Sequence, residues 1–348
     1  MTTRREFVFF TGCTLMGAAG VHNAQAQAPR RREVVVNGKR VKTIDVHAHV
    51  AFPEAMALMG FKGRSELAAT MQERIHAMDA QGIDMEALSI NPYWYGANRD
   101  VAEKLIELQN TKLAEICARQ PDRFVAFASV ALQFPDLAAK QLEDGVKKFG
   151  LRGAGLGGSV EGQELSDPKF HPFWKKAEEL GVLVFIHPIG TAELKSRLRG
   201  NGGLENTIGN PLETTLALSH LIFEGTLDRF PGLKICGAHG GGYLPSYAPR
   251  SDHICLTFPD RCAKVQLKKK PTEYLKQLYF DALVFTPEAL RHLAAQVGPS
   301  QLVMGTDYPF PWEKGAVDHI LKTPELTEAQ RVAILGTTAA KLLGINPV

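Results

Sequence analysis

Eight short apolar runs, each followed by a helical pattern, constrain this chain more than any other feature. They fall at 42–47, 85–90, 123–128, 152–156, 182–186, 233–238, 278–282 and 301–305. Most lack the polar alternation of a half-exposed strand, so they read as strands buried on both faces, the habit of parallel sheets. Helical signals lie between them. Leu67, Met71, Ile75 and Met78 recur at helical spacing before Gly82. Thr286-Pro287 sets a capping residue before a first-turn proline, and Thr327-Glu328-Ala329-Gln330 is a capping box opening the last helix. Eight such units predict an α/β fold of the TIM (β/α)8 barrel type, usually ~250 residues long. The spare length falls at 188–210 and 240–271, on the face where such barrels build active sites. A doubly wound sheet fits less well, because no GxGxxG follows the first run.

The barrel is expected to occupy 29–348 as one domain. Residues 1–28 read as a targeting segment. Thr3-Arg4-Arg5-Glu6-Phe7-Val8 resembles the twin-arginine export consensus, an apolar stretch runs on to Val21, and Ala24-Gln25-Ala26 offers a small-residue cut after Ala26. The expectation is a periplasmic protein, or a cytoplasmic one if the signal is unused. No other stretch is long and apolar enough for a transmembrane span. A net charge of +3 is too small to argue for a nucleic-acid surface. Cys117 and Cys236 lie in apolar runs, whereas pairing of Cys255 with Cys262 is left open by the sequence.

The first run ends in His47-Ala48-His49, whose side chains project from one strand face and can grip one ion. With eleven histidines in the chain such a pair is weak evidence alone. Three further polar side chains close later runs: His187 after the fifth, His239 after the sixth, and Asp307 after the eighth. A barrel gathers those strand ends at one mouth.

Five motifs together resemble the amidohydrolase superfamily, in the branch typified by carboxymuconate-semialdehyde decarboxylases. They are His47-Ala48-His49, His187-Pro188, Pro211-Leu212-Glu213-Thr214-Thr215, His239-Gly240-Gly241-Gly242 and Gly305-Thr306-Asp307-Tyr308-Pro309-Phe310-Pro311. The resemblance implies that His47, His49, His187 and Asp307 hold one metal per subunit, Zn2+ in the first instance or Mn2+, with water completing the shell. It implies that His239 is an acid/base beside that water, and that Asp307 shares the chemistry. Binuclear relatives use a carbamylated lysine on the fourth strand. The run Arg152-Gly153-Ala154-Gly155-Leu156 has none, which favours one metal.

The reading is a metal-dependent, non-oxidative decarboxylase of an aromatic or muconate-like carboxylic acid. Such a substrate calls for arginine forks. Arg250, eleven residues after His239, has the offset of a substrate arginine that the family donates across a dimer interface, so a homodimer is implied. Arg64 is the second candidate. Trp94 and Phe310, with Tyr93 and Trp312, follow strand ends and are expected to wall the substrate cavity. Two other readings draw on the same features: a hydrolase or hydratase, and an exported solute-binding protein.

Overall fold

The computed structural model describes residues 31–62, 69–312 and 315–346. The export segment and Arg64 lie outside the described residues. All eight expected strands are present: β1 (Ile44–His49), β2 (Met85–Ser89), β3 (Phe124–Ala126), β4 (Gly153–Leu156), β5 (Leu183–Ile186), β6 (Lys234–Gly237), β7 (Leu278–Asp281) and β8 (Leu302–Val303). They pair in parallel as β1-β2-β3 and β8-β7-β6-β5-β4. Single bridges close both seams, Ala128 to Ala154 on one side and Asp45 to Met304 and Ala48 to Tyr308 on the other. The result is the barrel expected from the sequence.

Helix boundaries follow local chemistry. Thr70 and Glu73 form a capping box for the Met71–Gln81 helix, and Gly82 ends it with a positive φ. Thr286 accepts from the Ala289 amide at the start of Pro287–Val297. The last helix opens at the Thr327 box but is not continuous. A π turn at Ala333–Thr337 separates Glu328–Val332 from Thr338–Leu343. Within it Gly336 passes so close to the chain just before β1 that a Cβ would lie 1.8 Å from the Lys42 carbonyl oxygen.

β1 differs from its sequence reading in one respect that matters for the site. It starts and ends two residues later, so His47 and His49 lie inside the strand, and all six of its residues are buried. Its register against β2 slips between Asp45 and Ala48, an irregularity of the kind that re-aims side chains. Val46, Phe127, Phe185, Cys236 and Val303 pack with Leu342 and Leu343 of the last helix in one apolar cluster. The same cluster includes Ile44, Met85 and Leu183, the first residues of their strands, so the helix fills the end of the barrel opposite the metal-capable residues.

Candidate metal centre

His47, His49, His187 and Asp307 converge, with one ligand atom of each lying within 4.8 Å of the others. Nε2 of His47 is 3.0 Å from Nε2 of His49. Oδ1 of Asp307 stands 3.1 Å from the first nitrogen, 2.9 Å from the second and 3.9 Å from Nε2 of His187. All four residues are buried.

The outer contacts settle which ring atoms face inward. Nδ1 of His47 donates to Oδ2 of Asp281 at 2.7 Å. Nδ1 of His49 lies 3.0 Å from the Ser89 hydroxyl, which itself donates to the Ala48 carbonyl. Both Nε2 lone pairs therefore point at the same space. Neither ring nitrogen of His187 has a hydrogen-bond partner. Lone pairs crowded together repel, and a cation between them removes that repulsion.

Electrostatics agree. Burial pushes His49 down to about 4, only partly offset by Asp307, and drives His187 well below the ordinary histidine range. Burial also opposes charge on His47, but Asp307 and Asp281 outweigh it and hold its pKa up to about 10. Burial of Asp307 is likewise overridden by His47 and its neighbours, so its carboxyl titrates far below the ordinary range. The pocket wants one positive charge between two carboxylates and two neutral imidazoles. A divalent ion supplies it, and the residues present fit such an ion.

His239 stands beside the four. Its Nε2 is 3.8 Å from Oδ2 of Asp307, and its ring lies 5.1 and 5.2 Å from those of His47 and His187. Both His239 and Asp307 have left-handed backbone, φ 54° and 60°, which non-glycine residues rarely adopt. Each is pinned. The His239 and Gly240 amides donate to Asp281 at 2.9 Å, and the Asp307 amide donates to the His47 carbonyl at 2.7 Å.

Asp281 lies one residue before the end of the seventh run and did not stand out in the sequence, yet it ends β7. It holds His47, His239 and Gly240 at once. In the sequence Glu213 stands out only as part of the 211–215 motif. Buried on the Asn210–Phe223 helix, it accepts from the Ile189 and Gly190 amides at 2.7 and 2.5 Å and so ties down the chain just after His187.

The centre opens into a cavity of about 530 Å³ lined by Tyr93, Phe310, Trp312, Asn206 and Asn210 among others. A second, of about 420 Å³, adjoins His239, Phe285 and Trp312. Phe310 lines the first cavity, its ring 6.1 Å from His49. Trp94 does not. It is fully buried, its indole donating to the Val130 carbonyl, and Tyr93 lines the cavity instead. The indole N–H of Trp94 finds its acceptor in the interior at Val130, which turns the larger ring inward and leaves Tyr93 to the cavity. Arg250 is exposed on the Leu244–Thr257 helix and does not line its own cavity.

Comparison with known proteins places this geometry. A sequence model described as amidohydrolase matches residues 44–345. The 2-amino-3-carboxymuconate-6-semialdehyde decarboxylase of Dictyostelium discoideum is 32% identical over 280 residues, covering 79% of this chain and 76% of its own. A solved 2,6-dihydroxybenzoate decarboxylase complexed with 2,6-dihydroxybenzoate is 28% identical with a TM-score of 0.78, over 88% of this chain and all of its own. The dihydroxybenzoic acid decarboxylase of Polaromonas sp. JS666, solved with bound manganese and 2-nitroresorcinol, is 29% identical with a TM-score of 0.78, over 87% of this chain and 97% of its own. With its barrel, its ligand set and a family match over nearly all the described residues, the chain belongs to the amidohydrolase family.

Proposed function

We propose that this protein is a metal-dependent, non-oxidative decarboxylase of an aromatic or muconate-like carboxylic acid. The observation that carries the reading is the His47, His49, His187 and Asp307 set beside His239, at the floor of a cavity walled by Tyr93, Phe310 and Trp312. Relatives with this fold are named as decarboxylases of such acids, which tells against the hydrolase, hydratase and solute-binding readings.

One divalent ion held by the four ligands would supply a positive charge that attracts the substrate carboxylate. The remaining work falls to side chains. The aromatic wall stacks a flat ring and excludes water. His239, 3.8 Å from Asp307, passes a proton to the ring carbon that bears the carboxylate. The carbon–carbon bond then breaks, its electron pair staying with the ring, and carbon dioxide leaves. The Asp307 carboxylate, ionised throughout, faces the His239 ring from the metal side.

We propose one Zn2+ or Mn2+ per subunit. Three imidazoles suit zinc, and the manganese in the Polaromonas relative supports the other. A homodimer is part of the proposal, with the exposed Arg250 reaching a partner's site. Arg64 remains a candidate carboxylate clamp. Export is supported by the Arg4-Arg5 motif and by the disulfide between Cys255 and Cys262, a bond that persists in oxidising compartments. Among the described residues no helix is long and apolar enough to cross a membrane.

The test is direct. Metal-loaded protein should release carbon dioxide from 2,6-dihydroxybenzoate or a related aromatic acid. No release from a broad panel, with cleavage of esters, lactones or amides, would overturn the reading.

A further inference from the structure

Arg74 is the one arginine or lysine buried among the described residues, at 1% exposed, and it lines neither cavity beside the metal centre. It comes from the Met71–Gln81 helix. Its acid partner is Glu86 of β2. Met85 and Ala87 belong to the cluster that fills the barrel, so Glu86 between them faces the helix layer, as strand alternation requires. Nη1 of Arg74 donates to Oε2 of Glu86 at 2.6 Å, one bond where arginine and carboxylate commonly make two. Nη2 is turned elsewhere and donates to the backbone carbonyl of His49. The guanidinium also lies over the Tyr308 ring, 4.5 Å from its centre.

Those last two contacts belong to the two chain segments that meet at the centre. His49 is one of the four metal-capable residues, and Tyr308 follows Asp307, whose left-handed backbone has to be held in place. The His49 amide donates to the Tyr308 carbonyl at 2.6 Å. The ends of β1 and β8 are thus bonded to each other and backed by a single guanidinium. A buried ion pair adds little net stability over apolar residues of similar volume. Stability alone therefore gives no reason for a cation here, whereas a second task does.

Resting on the metal-centre reading, we propose that Arg74 is a positioning residue for the ion site. Through the His49 carbonyl and the Tyr308 ring it fixes where His49 and Asp307 stand relative to each other, Nε2 to Oδ1 at 2.9 Å, and so sets the affinity for the ion. It touches neither ion nor substrate. Only a flat, forked cation fits this task. A lysine keeps the charge opposite Glu86, but as a point charge it cannot hold the carbonyl and cover the ring in one geometry.

Manganese titrated into the full chain in competition with a chelator reads the affinity without turnover. Arg74→Lys should weaken Mn2+ binding about tenfold, within the range for lost outer partners of a metal ligand. Tyr308→Leu keeps the ion pair but removes the ring, and should weaken it about threefold. Glu86→Gln should lower the melting temperature of the ion-free protein yet leave Mn2+ affinity unchanged, because both contacts to the ligand-bearing segments remain. The visible bands of cobalt-loaded protein, which follow ligand geometry, should change in Arg74→Lys and not in Glu86→Gln. Melting curves set a temperature at which each variant is folded. Unchanged Mn2+ affinity in Arg74→Lys, or an equal loss in Glu86→Gln, overturns the role. If Arg74→Lys does not fold, unchanged affinity in Tyr308→Leu overturns it instead. Wild-type protein that takes up neither Mn2+ nor Co2+ overturns the metal centre as well, so the two failures are told apart.

Discussion

Nδ1 of His47 donates to Oδ2 of Asp281 across 2.7 Å, and neither side chain touches solvent. The same carboxylate caps the left-handed turn that presents His239. One acid therefore sets the tautomer of a metal ligand and the position of the proton carrier. Asp281→Asn keeps an acceptor for the amides but removes the charge behind His47. Metal affinity should fall about tenfold to a hundredfold, the usual cost of losing such support. Competition with a chelator measures it, and unchanged affinity would refute the role.

His239 touches none of the ring nitrogens that face the centre. His239→Ala should therefore keep stoichiometric metal while kcat falls by at least about a hundredfold, as for loss of a general acid. Elemental analysis of the purified variant checks the first half. Loss of metal would show that His239 is itself a ligand.

Trp94 and Phe310 separate structure from recognition. Trp94→Ala empties a fully buried site and should cost about 3–5 kcal/mol in chemical denaturation. Phe310→Ala, at the cavity wall, should raise KM with a much smaller loss of stability. A pattern with the two variants exchanged would place the wrong residue at the substrate.

Glu213 gives the pH dependence a sign. Burial pushes its carboxyl up from the ordinary 4.5 to about 7, against the pull of the Gly190 and Ile189 amides. Below 4.5 it is neutral both folded and unfolded. Between 4.5 and 7 the unfolded chain gives up the proton first, so the folded state loses ground as pH rises. Glu213→Gln, neutral throughout, should flatten that fall. Melting temperatures of metal-loaded protein from pH 4.5 to 8 will show whether the slope belongs to this residue.

The eight strands and the residues at their ends were legible because both are local patterns. Buried parallel strands read as apolar runs, and an isolated His or Asp closing such a run stands out. Asp281 lies near the end of such a run too, but its value lies in what it meets across the barrel, His47 and the 239–240 turn. Trp94 departs from the sequence expectation for a related reason. Sequence shows that aromatic residues follow a strand but not which of two neighbours turns inward once the chain leaves it. The π turn at Ala333–Thr337 was equally invisible, since its cause is a close approach to Lys42 from the far end of the chain.

The seam between β1 and β8 has a consequence for how the protein is made. Thr306 donates to Asp45 across 261 residues of chain, and the Asp307 amide donates to His47 beside it. The first two metal-capable histidines emerge from synthesis well before the carboxylate that completes the set, which follows only after β8. A nascent chain thus carries two waiting histidines and no finished centre. Stalled or truncated products lack the closing strand, so they cannot load the ion in this geometry. Metal occupancy becomes a read-out of a closed barrel.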